Sequence, residues 1–140
     1  MQYKEIKKDL FSIDENHFLV HCISVDAKMG KGIAVDFVKR FPEIKILRQM
    51  DLKVGNCIRI GKVLNLITKE KYWEKPTYRT LQNSLNKCYN ICLENKIYNL
   101  AMPKIGCGLD ELRWEEVSNI IKSIFDFNPL INFNILICYK

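Results

Sequence analysis

The stretch Tyr98-Asn-Leu-Ala-Met-Pro-Lys-Ile-Gly-Cys-Gly-Leu-Asp110 decides the fold class. Tyr98–Met102 is a short apolar run bounded by a proline, which reads as a buried strand. Pro103 ends it, and Gly106 and Gly108 allow backbone conformations and close approaches that a Cβ would forbid. Asp110 follows, and then Trp114, Val117, Ile121 and Ile124 recur at helical spacing. A strand, a glycine loop and a helix in succession form the repeating unit of α/β proteins. In such proteins ligands sit at the carboxyl ends of the strands.

The same unit is expected upstream. His17–Ile23 is a β-rich apolar run, followed by the loop Ser24 to Gly32 and a helix over Ile33–Phe41. Pro42 interrupts that helix, and a second short one is expected from Glu43 to Met50. Cys57-Ile-Arg-Ile and Lys62-Val-Leu-Asn-Leu-Ile flank Gly61 as a hairpin. Tyr78, Leu81, Leu85, Cys88 and Cys92 mark one amphipathic helix over Thr77–Asn95. Gln2–Lys7 reads as an edge strand and Asn134–Tyr139 as a final buried one. Strand runs apolar throughout, alternating with helices, predict an α/β sandwich: a mixed sheet with helices on both faces. No repeat, low-complexity tract or Pro/Gly/Ser linker interrupts the 140 residues, so one domain over 1–140 is expected.

Composition narrows the function classes. No apolar run approaches the ~18–20 residues that span a membrane, and the N-terminus has basic residues without an apolar h-region. The 22 Lys plus Arg against 16 Asp plus Glu leave +6. Seventeen of those cations are Lys and five are Arg, a poor match to bidentate base or phosphate recognition. Residues 1–75 carry 15 positive and 10 negative charges, and 76–140 carry 7 and 6. The excess favours an anionic ligand near the first half. Six cysteines form no CxxC pair and several sit in apolar runs, which indicates buried free thiols in a reducing compartment: cytoplasm, or nucleus in a eukaryote. The two histidines, His17 and His21, lack cysteines at finger spacing, so no metal site is expected.

Met29-Gly-Lys-Gly-Ile-Ala34 and Ile105-Gly-Cys-Gly-Leu-Asp110 are the candidate ligand loops. Each can turn successive N–H groups toward an anion ahead of a helix. Either alone is an ordinary turn; two of them suit a diphosphate. The first is neither a Walker loop nor a dinucleotide fingerprint. Lys75 precedes Pro76, which biases it to extended geometry just before a helix. It is either a solvated surface lysine or a nucleophile. Asp110 is either a cap near the last helix or an acid/base group. Cys107 has no base partner and is read as packing or spacing. His21 inside an apolar strand is read as a core histidine, and Asp26 as a polar residue near a strand end.

Taken together, His21-Cys-Ile-Ser24, Met29-Gly-Lys-Gly-Ile-Ala34, Lys75-Pro-Thr-Tyr78 and Met102-Pro-Lys-Ile-Gly-Cys-Gly-Leu-Asp110 resemble a macrodomain. The resemblance is greatest to the terminal ADP-ribose protein glycohydrolase branch, and runs in order from Lys8-Asp-Leu-Phe11 to the last strand. It implies a three-layer α/β/α fold binding ADP-ribose at the strand ends without a cofactor or metal. Asp9 and Leu10 would meet the adenine, bordered by Tyr139 and Lys140. Ser24, Met29, Gly30, Lys31, Gly32, Ile33 and Ala34 would follow the distal ribose and diphosphate. Pro103, Lys104, Ile105, Gly106, Cys107, Gly108 and Leu109 would form the second phosphate loop.

In that branch the lysine of Lys-Pro-Thr-Tyr is the nucleophile, here Lys75, and the aspartate ending the second loop is the acid/base, here Asp110. The resemblance implies a hydrolase that removes mono-ADP-ribose from acidic side chains of proteins, with O-acetyl-ADP-ribose as a further substrate; a monomer without membrane association is expected. ADP-ribosylated DNA bases are an alternative, since macrodomains of DarG-type antitoxins are also similar. A non-catalytic ADP-ribose binding module is the alternative from another class, and it would not need both Lys75 and Asp110. Lys8 stands where macrodomains often have glycine.

Overall fold

Strands that are apolar on both faces, and helices apolar at every third or fourth position, are what assemble the chain. In the computed structural model, which describes residues 1–140, six strands form one sheet. They are β1 (Gln2–Lys7), β2 (Phe18–Ser24), β3 (Cys57–Ile60), β4 (Val63–Lys69), β5 (Asn99–Met102) and β6 (Asn134–Tyr139). The strand order is β1-β6-β5-β2-β4-β3. All pairings are parallel except β3 against β4, the hairpin turned by Gly61 at φ +58°. The sheet is therefore mixed, and β1 is an edge strand, as the sequence predicts.

Three α-helices cover it: α1 (Ile33–Arg40), α2 (Tyr78–Asn95) and α3 (Trp114–Phe125). Alternation along the strands splits the core in two. Val20, Leu64, Leu66, Leu100, Met102, Ile135 and Ile137 face Leu81, Leu85, Cys88, Val117, Ile121 and Phe125 of α2 and α3. Leu19, Ile23, Val63, Ile67, Ala101 and Cys138 face the other way, toward Phe37 of α1 with Leu10, Ile44 and Leu47. This is the three-layer α/β/α sandwich. The segment after Pro42 departs from expectation: Pro42–Gln49 winds as tighter 3₁₀ turns instead of an α-helix. Ile44 and Leu47 are its buried residues, and their three-residue spacing matches a 3₁₀ repeat.

Two features of this topology position the site. The five mutually parallel strands bring their C-termini to one rim, in the spatial order β1, β6, β5, β2, β4. The chain leaves β2 for β4 on one side, then crosses to β5 on the other, so the switch point lies between β5 and β2. Both glycine loops leave from those two strands. At ~4.8 Å per strand the rim is roughly 19 Å long.

Candidate active site

The first loop lacks regular structure but is tied down by hydrogen bonds at its start. Beyond β2, the N–H groups of Val25 and Asp26 continue the parallel ladder onto the carbonyls of Lys69 (2.9 Å) and Glu70 (3.3 Å). The Ser24 hydroxyl donates to Asp26 Oδ1, and the Tyr72 N–H donates to Asp26 Oδ2 at 3.1 Å. Burial would raise the Asp26 carboxyl, but hydrogen bonds from Ser24, Tyr72 and Lys28 outweigh it and hold the group below the usual carboxylate range. Ala27 and Met29 take positive φ, near +50°, and both side chains are buried. The Arg48 guanidinium secures this strained bend by donating to the carbonyls of Ala27 and Lys28, each at 3.0 Å. Nothing in the sequence marks Arg48 for that task. The amide N–H groups of Gly30, Lys31, Gly32, Ile33 and Ala34, leading into α1, donate to no protein acceptor.

The second loop, Pro103 to Asp110, closes through Ile105 N–H to the Pro103 carbonyl (2.7 Å) and Leu112 N–H to the Gly106 carbonyl (2.8 Å). Gly106 sits at φ +73°, where a Cβ would come within 3.1 Å of Leu112 Cδ1. The amides of Gly106, Gly108, Leu109 and Asp110 likewise have no protein acceptor. Two adjoining loops thus hold free backbone donors across the switch point, an arrangement suited to a polyanionic ligand.

Lys75 reaches the end of this second loop, to the residues on either side of Asp110. The Lys75 ammonium donates to the Leu109 carbonyl and lies 3.8 Å from Glu111 Oε1, with its side chain 52% exposed. Asp110 is not a helix cap: the cap of α3 is Arg113, three residues on, and it makes no side-chain capping bond. The Asp110 carboxylate instead accepts from Lys69 Nζ at 2.6 Å. Lys69 is the functional candidate the sequence reading missed, because a lysine ending a strand reads as a solvated residue. Lys75 precedes the N-terminus of α2, where Thr77 and Thr80 cap each other's N–H groups, each at 3.1 Å. That box and Pro76 fix where the helix begins and so where Lys75 leaves the chain. Lys69 and Lys75 also line a pocket of about 230 Å³ with Thr68, Thr77 and Thr80.

The other rim residues gather at the opposite end. Asp9 accepts the Phe11 N–H at 3.0 Å and caps the single turn Leu10–Ser12. The Leu10 side chain is buried against the α1-side core, so only its backbone is available to a ligand. Lys8 N–H donates to the Tyr139 carbonyl at 2.9 Å, which joins the Asp9 turn to the end of β6. Lys140 follows, exposed. Lys104 Nζ lies 4.9 Å over the Tyr139 ring and 5.9 Å from Trp114, tying the second loop to that end. Every residue singled out for ligand contact therefore lies on the one rim. A larger polar concavity of about 330 Å³ at the other end of the strands, around Lys4, Asp14, His17, Asn99 and Asn134, includes none of them.

Two nucleophile or base candidates fall away. The Cys107 thiol donates to the Ile105 carbonyl at 3.3 Å, and burial pushes it up to about 11, with Asp110 adding to the rise and Lys104 opposing it. It is a thiol at neutral pH. His21 is fully buried, stacked 3.9 Å from the Phe37 ring and 2.6 Å from Asn65 Oδ1 through Nε2. Burial pushes it down to about 4, so it is neutral, and the Asn65 contact makes Nε2 its protonated nitrogen. Both are structural, as their sequence contexts suggest.

Fold, rim and paired glycine loops define a class, and the family model agrees: the macro domain matches residues 20–121, and the chain belongs to that family. Within it, the chain is 45% identical over 125 residues to the ADP-ribose glycohydrolase OARD1 of Bos taurus, covering 86% of this chain and 82% of that one. It is 30% identical over 125 residues to a DNA ADP-ribosyl glycohydrolase of Mycobacterium tuberculosis, covering 79% of this chain and 34% of the relative. The solved macrodomain of Mycobacterium tuberculosis DarG superposes with a TM-score of 0.88 at 23% identity, over 99% of this chain and 98% of that one.

Proposed function

We propose that this chain is an ADP-ribosyl hydrolase, a single macro domain over residues 1–140 that removes mono-ADP-ribose from acidic side chains of proteins. The observation that carries this reading is that Lys75 reaches the Leu109 carbonyl and Glu111, the chain neighbours of Asp110, beside two loops of unpartnered amides. A module that only binds would need the loops and not Lys75 with Asp110.

On this reading the adenine lies against Asp9, the Leu10 backbone, Tyr139 and Lys140, and the diphosphate lies across Gly30–Ala34 and Gly106–Leu109. The distal ribose then falls beside Ser24, Lys75 and Asp110. Lys75 Nζ, having given up a proton, attacks the anomeric carbon; the C–O bond to the acyl group breaks and the carboxylate leaves with the electron pair. Water then attacks the same carbon and loses a proton to Asp110. The C–N bond breaks and the proton passes to the departing amine, which restores Lys75. The net change is ester plus water to ADP-ribose plus carboxylic acid. The loops contribute by holding the anomeric carbon within reach of Nζ. O-acetyl-ADP-ribose offers the same acyl leaving group and is a further substrate.

A second reading, release of ADP-ribose from DNA bases, has its own support. Tyr72 and Trp73 are exposed on the turn just before Lys75, with Trp73 at 67%, and the relatives at about 30% identity are named for DNA. Exposed aromatics beside cations suit unstacked bases. Six free thiols support a reducing, cytoplasmic setting. The test is mass spectrometry of wild-type protein incubated with glutamate-linked ADP-ribosyl protein and, in parallel, with ADP-ribosyl-thymidine DNA. Release from the first supports the main reading, and release from the second alone supports the other. Tight ADP-ribose binding with no release from either would leave a binding module.

A further inference from the structure

Two lysines stand at the reacting end of the rim, and their surroundings differ. Lys75 is half-exposed and bonded to a carbonyl. Lys69 is paired with Asp110 at 2.6 Å, both side chains only 14–15% exposed. We infer that Lys69 is a positioning residue for the hydrolysis: it holds Asp110 Oδ1 so that Oδ2 is presented to the water that resolves the adduct. The inference rests on the hydrolase reading above.

Three observations carry it. The only hydrogen bond Asp110 accepts from the protein is the one from Lys69, on Oδ1; Oδ2 has no protein partner. One oxygen is therefore held and the other is available to take a proton. Second, the register between β2 and β4 slips immediately before Lys69: Ile23 pairs with Ile67, but Ser24 pairs with Lys69, leaving Thr68 as an extra residue. A bulge of this kind breaks the two-residue alternation and re-aims the side chain that follows. Without it, Lys69 would continue on the face of Val63 and Ile67, toward the α1-side core. The bulge is thus what permits the approach to Asp110 in the β5–α3 loop. Third, a pair so little exposed has few alternative geometries, and a short charge-assisted bond fixes the carboxylate's orientation more tightly than solvent would. The two lysines divide the work: Lys75 is left accessible for attack while Lys69 compensates and orients the carboxylate.

The experiment compares wild type with Lys69→Gln, Lys69→Arg, Asp110→Asn and the Lys69→Gln/Asp110→Asn double variant. Turnover, ADP-ribose affinity, melting temperature and the intact mass of the protein during turnover are read for each. For Lys69→Gln, turnover falls roughly 10²-fold or more, the general range for a misplaced acid/base group. ADP-ribose affinity stays within about threefold of wild type, and a mass one ADP-ribosyl unit heavier accumulates at Lys75. Lys69→Arg restores part of the rate. In the Asp110→Asn background, adding Lys69→Gln leaves the rate of adduct decay unchanged, because Lys69 acts only through that carboxylate. The double variant carries no lone charge, so it reports even where Lys69→Gln alone unfolds. Wild-type turnover in Lys69→Gln overturns the inference while the hydrolase reading stands. So does further slowing in the double variant, and so does loss of rate without adduct alongside an equal loss of ADP-ribose affinity. If wild type itself releases no ADP-ribose, the hydrolase reading fails and the positioning role falls with it.

Discussion

Leu109 of the second glycine loop lies over Gly32 of the first: a Cβ added at Gly32 would sit 3.3 Å from Leu109 Cδ1. Gly32 also holds φ +62° with ψ −151°, a region open to glycine and closed to L side chains. The two loops therefore meet at a glycine whose backbone conformation L side chains avoid. Gly32→Ala combines backbone strain of about 1–3 kcal/mol with displacement of Leu109. ADP-ribose affinity should fall at least tenfold, equivalent to about 1.4 kcal/mol, as read by titration calorimetry. Unchanged affinity would show that the contact has no bearing on the ligand.

The two proposed catalytic groups should fail in different ways. Lys75→Ala removes a half-exposed side chain, so melting temperature and ADP-ribose affinity should stay near wild type while turnover drops by 10³-fold or more. Asp110→Ala should slow turnover with a covalent adduct building up at Lys75. It also strands the Lys69 ammonium, and breaking that little-exposed pair should cost up to about 3 kcal/mol in urea unfolding. Full activity in both variants would refute the assignment of roles.

Arg48 should matter to binding although it stands outside the two loops proposed to hold the ligand. Its guanidinium bonds hold Ala27 and Lys28 where the chain takes positive φ. Arg48→Ala should lower stability by about 1 kcal/mol and weaken ADP-ribose binding several-fold, with kcat less affected than KM. Lysine, a point donor, cannot span both carbonyls, so Arg48→Lys should rescue little.

His21 predicts how the protein meets acid. Its folded value of about 4 lies below the ordinary 6.5, so the unfolded chain takes up a proton that the folded one refuses. That stability is fully present above pH 6.5 and is lost as pH falls toward 4, to a total of about 3 kcal/mol. Urea midpoints should decline on this account between pH 7 and about pH 5.5, before most carboxylates titrate. His21→Gln should flatten the decline; an identical slope in that variant would remove His21 as its cause.

Much of the molecule could be read from the chain because its evidence was local. Apolar runs such as Val63–Ile67 and Ile135–Cys138 have no other use than burial between layers. The spacing of Leu81, Leu85, Cys88 and Cys92 fits only a helix that packs along one side. The glycine loops were legible too, because Gly32 and Gly106 need backbone conformations that other residues avoid. The Pro42–Gln49 segment misled because Ile44 and Leu47, three apart, fit an α-helix and a 3₁₀ helix alike.

By itself, then, the sequence determined the α/β class, the strand-end rim with its two loops, and Lys75 and Asp110 as the residues to consider there. Those properties depend on period, turn chemistry and short motifs, which neighbours in the chain establish. Tertiary structure alone decided the partners. Lys69 and Asp110 are 41 residues apart and Arg48 and Ala27 are 21 apart, and no local pattern signals either contact. The bulge at Thr68 is likewise a property of two strands in register. A lone lysine or arginine reads as solvated until folding brings its acceptor within 3 Å, and only then does its charge acquire a task.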